Sequence, residues 1–311
     1  MSHIYIYSPS SAVREKAAFR RGVARLKALG HEVEVDEAAL SSFQRFAGDD
    51  ACRVAAIGRA AASGADIALI SRGGYGLTRI LPDLPYRQLA KAIERGTRFV
   101  GVSDFTALQL ALLARSGSVT WAGPALGADF GVEAEPDEIM AACFDDLACG
   151  QGEGAGWTLP KSDAAGLPAP VSAGLDKGWA VRGATLWGGN LAVLCSLMGT
   201  PWLPKPEKGI LFLEDVNEHP YRLERMLTQL LQSGVIDRQK AVLLGSFTGY
   251  RTVPHDKGFK MATVVEWLRR QTRTPVFTGL PYGHVPTKVL LPVGGRVDLL
   301  VEGRDALLYW G

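Results

Sequence analysis

The sequence contains few cysteines and no closely spaced cysteine pair. Only four of its 311 residues are cysteine, at positions 52, 143, 149 and 195, and none forms a CxxC motif. This spacing argues against a zinc site and against a disulfide framework. We therefore expect reduced thiols that pack as small hydrophobic side chains, and neither a bound metal nor another cofactor.

The chain also lacks a long apolar run and a cationic stretch. No segment approaches the roughly 20 apolar residues of a membrane span, and the first eleven residues lack the regions of a secretory signal. The formal net charge of +2 is spread along the chain, with no Lys/Arg run longer than two. These absences predict a cytoplasmic protein with neither a membrane nor a nucleic-acid partner.

The first half of the chain alternates strand-like and helix-like segments. Three apolar runs are typical of buried strands: 4–7, 67–70 and 99–102. Three segments have helical patterning: 14–29, 49–63 and 86–95. The alternation predicts right-handed crossovers and an α/β fold, with an N-terminal parallel sheet of the flavodoxin or Rossmann-like kind.

The composition changes in the middle of the chain. Residues 149–180 are rich in glycine, alanine and proline, which is typical of a linker or long surface loop. Strand-like and helix-like segments resume after it, and residues 290–309 resemble antiparallel strands. We predict an N-terminal α/β domain over 1–148, a linker over 149–180, and a smaller C-terminal α+β domain over 181–311.

A serine marks the turn between an apolar strand and an amphipathic helix at residues 99–108. Ser103 lies at the corner, where a strand-to-helix turn exposes a side-chain hydroxyl next to the first N–H groups of the helix. Phe105 occupies the position at which the usual hydrolase elbow has a second glycine. The turn alone therefore leaves two interpretations open, a nucleophilic serine and an ordinary helix N-cap.

A glycine-rich loop follows the buried strand that ends at Ile70. Residues 71–76 read Ser-Arg-Gly-Gly-Tyr-Gly, and three glycines in four residues let backbone N–H groups approach a ligand closely. The loop is neither a GxGxxG motif nor a Walker A motif. A tight turn, an oxyanion-binding loop and a nucleotide site all remain open.

Two further candidates lie in the second half. Glu214 ends an apolar strand, although an acidic residue there also suits the cap of the following helix. His284 lies in a loop rich in glycine and proline, where surface histidines are common. With Ser103 they give the chain order Ser…Glu…His of α/β-hydrolases, in which the histidine is the base and the carboxylate orients it.

The motifs together resemble the LD-carboxypeptidase family of serine peptidases, which includes muramoyl-tetrapeptide carboxypeptidases and microcin-immunity hydrolases. Glu214 matches the strand-end glutamate of that family. The other matching segments occur in the expected order: 46–48, 71–76, 101–104, 188–191, 283–284 and 291–294.

The resemblance implies a complete catalytic arrangement. Ser103 would be the nucleophile, His284 the general base and Glu214 its orienting carboxylate. The backbone N–H groups of Gly74 and Asp104 would form the oxyanion hole. The resemblance also implies a homodimer that removes the terminal D-alanine from murein tetrapeptides during cell-wall recycling.

An exopeptidase must also recognise the terminal carboxylate of its substrate, and a fixed cation does this well. Arg72 and Lys288 are candidates because they lie close in sequence to catalytic segments, although surface or structural roles remain open for both.

Two alternative functions remain. An immunity-type amidase of the same fold would cleave a peptidyl-nucleotide antibiotic, and Trp187 or Trp202 could stack on its base unless they pack in the core. A non-catalytic, two-lobed binding protein for a small molecule is the other.

Overall fold

A computed structural model describes residues 1–175 and 178–310 of the protein. The chain divides into two compact units, and each of them contains segments that are distant in sequence. Unit 1 comprises Met1–Gly152, Gly199–Pro204 and Pro286–Gly294. Unit 2 comprises Glu153–Met198, Lys205–Val285 and Gly295–Gly311.

The described residues form two β-sheets. In chain order the strands are β1 His3–Tyr7, β2 Glu32–Val35, β3 Ile67–Ile70, β4 Arg98–Gly101, β5 Thr120–Ala122, β6 Gly154–Thr158, β7 Trp179–Asn190, β8 Ile210–Val216, β9 Ala241–Thr248, β10 Val276–Thr278, β11 Leu291–Val293, β12 Arg296–Glu302 and β13 Asp305–Tyr309.

The helices cover the sheets. They are α1 Lys16–Ala28, α2 Asp50–Ala62, α3 Leu77–Ile80, α4 Tyr86–Glu94, α5 Thr106–Ser116, α6 Glu138–Cys149, α7 Asp163–Gly166, α8 Ala169–Ser172, α9 Leu191–Ser196, α10 Pro220–Gln232 and α11 Met261–Gln271. Helix α2 begins at a typical cap, because the Asp49 carboxylate accepts a hydrogen bond from the Cys52 N–H at 2.7 Å. Over residues 1–175 and 178–310, no helix combines the length and apolar character that crossing a membrane requires.

Unit 1 contains a six-stranded sheet in the order β11-β5-β4-β3-β1-β2. Strands β1 to β5 are parallel and β11 is antiparallel to β5. The order of the parallel strands, 2-1-3-4-5, is that of flavodoxin-like folds, which bind ligands where the connections diverge, beyond the carboxyl ends of β1 and β3. The loops after these two strands contain Ser11 and the glycine-rich segment 71–76, so unit 1 presents both at its expected ligand-binding edge.

Unit 2 contains a seven-stranded mixed sheet in the order β10-β9-β8-β7-β12-β13-β6. Strands β7 to β10 are parallel, whereas β12, β13 and β6 are antiparallel to their neighbours. The long strand β7 joins the two halves, because its second part pairs with β8 and its first part with β12.

The α/β class and the N-terminal parallel sheet are confirmed, but the structure differs from the predicted linker over 149–180. Strand β6 lies in that segment and pairs with β13 along its whole length. Its glycines do not prevent pairing, because β6 is an edge strand stabilised by backbone hydrogen bonds and by the buried side chain of Ala155. The late strand β11 also differs from the predicted boundaries, since it joins the sheet of unit 1.

Candidate active site

The Ser103 turn in unit 1 adopts a strained backbone conformation. A 3₁₀ turn over Ser103–Phe105 joins β4 to α5, and Ser103 has a φ of 67°, in the left-handed region that non-glycine residues seldom adopt. Phe105 is completely buried, and a Cβ at Gly101 would lie 2.6 Å from its ring. Gly101 is therefore required, because a side chain at this position would clash with Phe105. Phe105 in turn stands where the usual elbow has its second glycine. Such strain is typical of a nucleophile elbow.

The glycine-rich loop packs directly against this serine. A Cβ at Gly73 would lie 2.6 Å from the Cβ and 3.0 Å from the Oγ of Ser103. Gly74 has a φ of 113°, and a Cβ there would lie 2.2 Å from the Oγ of Ser11. Among the described residues of unit 1, no carbonyl accepts a hydrogen bond from the Gly74 N–H. Because Gly73 and Gly74 have no side chains, the backbone of the loop, with its N–H groups, can pack closely against the Ser103 turn.

The Asp104 side chain connects the serine turn to the end of the glycine-rich loop by a hydrogen bond. Its side chain is 2% exposed, and its Oδ2 accepts a hydrogen bond from the Leu77 N–H at 2.9 Å. Burial raises the pKa of Asp104, while the hydrogen bond from the Leu77 N–H opposes that shift. Arg53, also completely buried, donates from Nη1 to the Gly76 carbonyl at 2.8 Å. Sequence reasoning assigned only the backbone of Asp104 and missed both side chains, for which the sequence carried no signal besides their position.

In unit 2, a buried carboxylate orients the candidate histidine. Glu214 lies near the carboxyl end of β8 and is completely inaccessible, and its Oε2 lies 2.7 Å from the Nδ1 of His284. An ionised carboxylate only accepts hydrogen bonds, so Nδ1 carries the proton and the neutral ring has its basic lone pair on Nε2. Gly283, with a φ of 140°, allows the close approach, because a Cβ there would lie 3.2 Å from the same carboxylate oxygen. This arrangement suits a general base.

Asn190 and Asp215 complete the surroundings of Glu214. The Asn190 amide donates to Glu214 Oε1 and to Asp215 Oδ1, both at 3.2 Å. Burial raises the pKa of Asp215 to about 6, and hydrogen bonds from Ala192 and Val216 limit the shift. Sequence reasoning placed Asn190 only within the matching segment 188–191 and gave it no role, because its register with Glu214 follows from the pairing of β7 with β8.

The two candidate carboxylate-binding cations lie in different environments within unit 1. Lys288 is 3% exposed and forms an ion pair with Asp129, which also caps the Ala125 N–H at 2.7 Å. This buried pair favours a structural role for Lys288, in contrast to the predicted binding role. Arg72 is partly exposed and donates from Nη1 to the Ala12 carbonyl at 3.0 Å.

The two candidate stacking tryptophans differ in the same way. Trp187 is 1% exposed, and its Nε1 donates to the Gln239 side chain at 3.0 Å, so it belongs to the core of unit 2. Trp202 is only partly buried in unit 1.

A strained serine beside a glycine loop in one unit and a buried Glu–His pair in the other are features of α/β serine hydrolases. Residues 4–123 match the family model described as LD-carboxypeptidase N-terminal domain, and residues 183–299 match LD-carboxypeptidase C-terminal domain. The chain therefore belongs to the LD-carboxypeptidase family.

Individual relatives extend over most of the chain. A putative carboxypeptidase of Synechocystis is 32% identical over 301 residues, 94% of this chain and 90% of its own. The crystal structure of a muramoyltetrapeptide carboxypeptidase from Oxalobacter formigenes has a TM-score of 0.85 at 37% identity, covering 99% of this chain and 98% of that one. The microcin C7 self-immunity protein of Escherichia coli is 28% identical over 259 residues, 75% of this chain and 70% of its own.

Proposed function

We propose that the protein is a serine carboxypeptidase that hydrolyses the bond between the L-centre of a diamino acid and the terminal D-alanine of a murein tetrapeptide. The 2.7 Å pairing of His284 with the inaccessible carboxylate of Glu214 is the observation that carries this proposal. A histidine held this way is prepared to accept a proton, and Ser103 is the strained serine of the same family pattern. The name of the Oxalobacter relative supports the choice of substrate.

The mechanism follows the acyl-transfer pattern of serine peptidases. His284 removes the proton of Ser103 as the hydroxyl attacks the scissile carbonyl, and later delivers it to the amine of the leaving D-alanine. Glu214 keeps the imidazole oriented and stabilises its protonated form. The N–H groups of Gly74 and Asp104 stabilise the oxyanion, each contributing roughly 3–4 kcal/mol in comparable sites. Water then attacks the ester carbonyl of the acyl-enzyme while His284 takes its proton; the bond to Ser103 breaks, and the protonated His284 returns the proton to the serine oxygen.

Arg72 is our candidate for binding the terminal carboxylate. A Cβ at Gly74 would lie 3.8 Å from its Nη2, so the guanidinium is close to the proposed oxyanion loop. Lys288 is the weaker candidate, because its charge is already compensated by Asp129. A cytoplasmic location, a homodimer and a role in cell-wall recycling belong to the same proposal.

The proposal is tested by the release of D-alanine from a murein tetrapeptide. Wild-type protein should release it, Ser103→Ala should not, and Ser116→Ala should behave as wild type. Ser116 is a suitable control, since within the described part of the chain its hydroxyl bonds to the Leu112 carbonyl and to Ser118. Substantial turnover by Ser103→Ala would refute the nucleophile assignment.

An amidase that cleaves a peptidyl-nucleotide is the second candidate, favoured by the likeness to the microcin C7 self-immunity protein. The burial of Trp187 argues against its stacking on a nucleobase and leaves Trp202 as the candidate. Parallel assays with the tetrapeptide and an aminoacyl-adenylate analogue separate the two activities. A non-catalytic binding protein would instead give no fluorophosphonate adduct at Ser103.

A further inference from the structure

An irregularity in β9 lies opposite the buried carboxylate of Glu214 in unit 2. Strands β8 and β9 are parallel, and their register shifts by one residue between Leu213 and Asp215. Glu214 consequently faces two residues of β9 instead of one, Gly245 and Ser246, which we call the β9 bulge. On its other side Glu214 pairs regularly with β7. Bulges are rare between parallel strands and common next to active sites, where they redirect the chain.

The β9 bulge provides a binding place for the loop that carries His284. The Ser246 N–H donates a hydrogen bond to the Tyr282 carbonyl at 2.8 Å, and the Leu280 N–H donates to the Leu244 carbonyl at 3.3 Å. These two bonds extend the pairing of β10 with β9 beyond the end of β10. The extended pairing reaches Tyr282, two residues before the histidine. The β9 bulge therefore determines where the backbone that leads to His284 lies.

The absence of a side chain at Gly245 makes this contact possible. A Cβ at Gly245 would lie 2.4 Å from the carbonyl oxygen of Tyr282 and 3.5 Å from the Cβ of Glu214. Steric repulsion forbids the first of these distances, so a side chain here would displace the Tyr282 backbone. The φ of Gly245 lies outside the left-handed region. The glycine is thus required by the close approach of two backbone segments and not by its own conformation.

The Tyr282 side chain is fixed to the strand that carries the carboxylate. Tyr282 is 2% exposed, and its ring packs edge-on against Phe212 of β8, with the two centroids 5.5 Å apart. Phe212 is completely buried and precedes Glu214 by two residues. Gly283 follows Tyr282, and a Cβ there would lie 3.1 Å from the Cβ of Ser246. The loop is therefore held between a ring contact with β8 and a backbone contact with the β9 bulge.

We propose that the β9 bulge is a positioning element, which sets the 2.7 Å separation between the Nδ1 of His284 and the Oε2 of Glu214. Gly245 and Ser246 act through the backbone of Tyr282 and are positioning residues, not catalytic ones. The inference rests on the proposed function, in which His284 is the general base and Glu214 orients it. A displaced Tyr282 carbonyl would move His284 with it, and an error of about 1 Å in the placement of reacting groups lowers rates by about 100-fold.

Gly245→Ala tests the positioning role through D-alanine release from the murein tetrapeptide. We expect kcat to fall by about 100-fold and KM to stay within about twofold of wild type, because ground-state binding of the substrate is not altered. Gly154→Ala in β6, at the far end of the same sheet, is the matched control. Its Cβ would lie 2.6 Å from the Leu308 carbonyl oxygen, again with φ outside the left-handed region. Both variants should unfold at a lower temperature, but only Gly245→Ala should lose kcat while folded.

Proton NMR measures the histidine–carboxylate pair without any substrate. The Nδ1 proton of His284, shared with a carboxylate, should give a far-downfield resonance in the wild type that is absent from Glu214→Gln. We expect this resonance to move upfield or to be lost by exchange with water in Gly245→Ala, and to be unchanged in Gly154→Ala. Phe212→Leu loosens the opposite side of the loop and should shift the resonance in the same direction. It replaces Gly245→Ala in the test if that variant does not fold.

The outcomes separate the two proposals. An unchanged resonance or an unchanged kcat in Gly245→Ala would overturn the positioning role and leave the proposed function intact. Equal losses of kcat in Gly245→Ala and Gly154→Ala would also overturn it, because the loss would then follow from general destabilisation. A wild type that shows the resonance but releases no D-alanine would overturn the proposed function, and the resonances of the variants would still decide whether the β9 bulge sets the pair.

Discussion

The Nδ1 of His284 lies 2.7 Å from the Oε2 of Glu214, although 70 residues separate them in the chain. The carboxylate is completely buried and the imidazole is 24% exposed, so one partner is fixed while the other can reach a substrate. Asn190 holds the second oxygen of the carboxylate at 3.2 Å. In the proposed mechanism this pair orients His284, the general base, before any substrate binds.

Gly73 provides a test of the contact between the loop and the nucleophile. Gly73→Ala would place a methyl group 2.6 Å from the Cβ of Ser103, so we expect kcat to fall by about 100-fold, as when an oxyanion donor is displaced. The control is Gly30→Ala, where φ is 90° and no atom lies within 4 Å. It should lower the unfolding temperature through backbone strain and leave kcat unchanged. Equal kcat losses in both variants would contradict the assignment.

Asp104 tests whether the side chain behind the nucleophile positions the glycine loop. Asp104→Ala removes the acceptor of the Leu77 N–H, and we expect kcat to fall at least tenfold while KM changes little. Asp36→Ala is a matched control in the same unit, since Asp36 is 3% exposed and accepts from Tyr5, Arg59 and Ala38. Both variants should be destabilised in urea, but only the first should lose kcat at temperatures at which both are folded.

A substitution at Lys288 distinguishes a structural role of this residue from a role in substrate binding. Lys288→Met leaves Asp129 as an unpaired buried charge, and we expect the free energy of unfolding to fall by about 3–5 kcal/mol. KM for the tetrapeptide should remain within about twofold of wild type, measured at a temperature where the variant is folded, because a residue without substrate contact contributes nothing to ground-state binding. A large rise in KM without loss of stability would contradict the structural role and indicate that Lys288 binds the terminal carboxylate of the substrate.

Asp215 predicts a pH dependence of stability. Because its pKa is about 6 in the folded state and 3.8 in the unfolded state, the folded state binds the proton more tightly. The stabilisation of the folded state by the proton on Asp215 is therefore fully present below about pH 4 and is lost as the pH rises through about 6. Asp215→Asn should remove this component, up to about 3 kcal/mol, from the difference in unfolding free energy between pH 4 and pH 7. Parallel pH profiles for both proteins would contradict the assignment.

The sequence predicted the parts of the molecule that follow from local pattern. The completely buried strand β3 is an uninterrupted apolar run, and the Glu214 carboxylate near the end of β8 pairs with His284, as the chain order suggested. Strand β6 was missed because its composition is that of a loop, and its pairing depends on the distant strand β13. For Lys288 the sequence left binding and structural roles open, because its buried ion-pair partner Asp129 is 159 residues away in the chain and no local pattern indicates that pairing.

The central claim of the proposed function is that Ser103 and His284 act as a single catalytic group. Its most direct test is a double-mutant cycle on D-alanine release from the tetrapeptide by Ser103→Ala, His284→Ala and the variant with both. Because residues that act as a unit are strongly non-additive, we predict that the double variant is no slower than either single variant. Losses that multiply in the double variant would contradict the account, since Ser103 and His284 would then contribute independently.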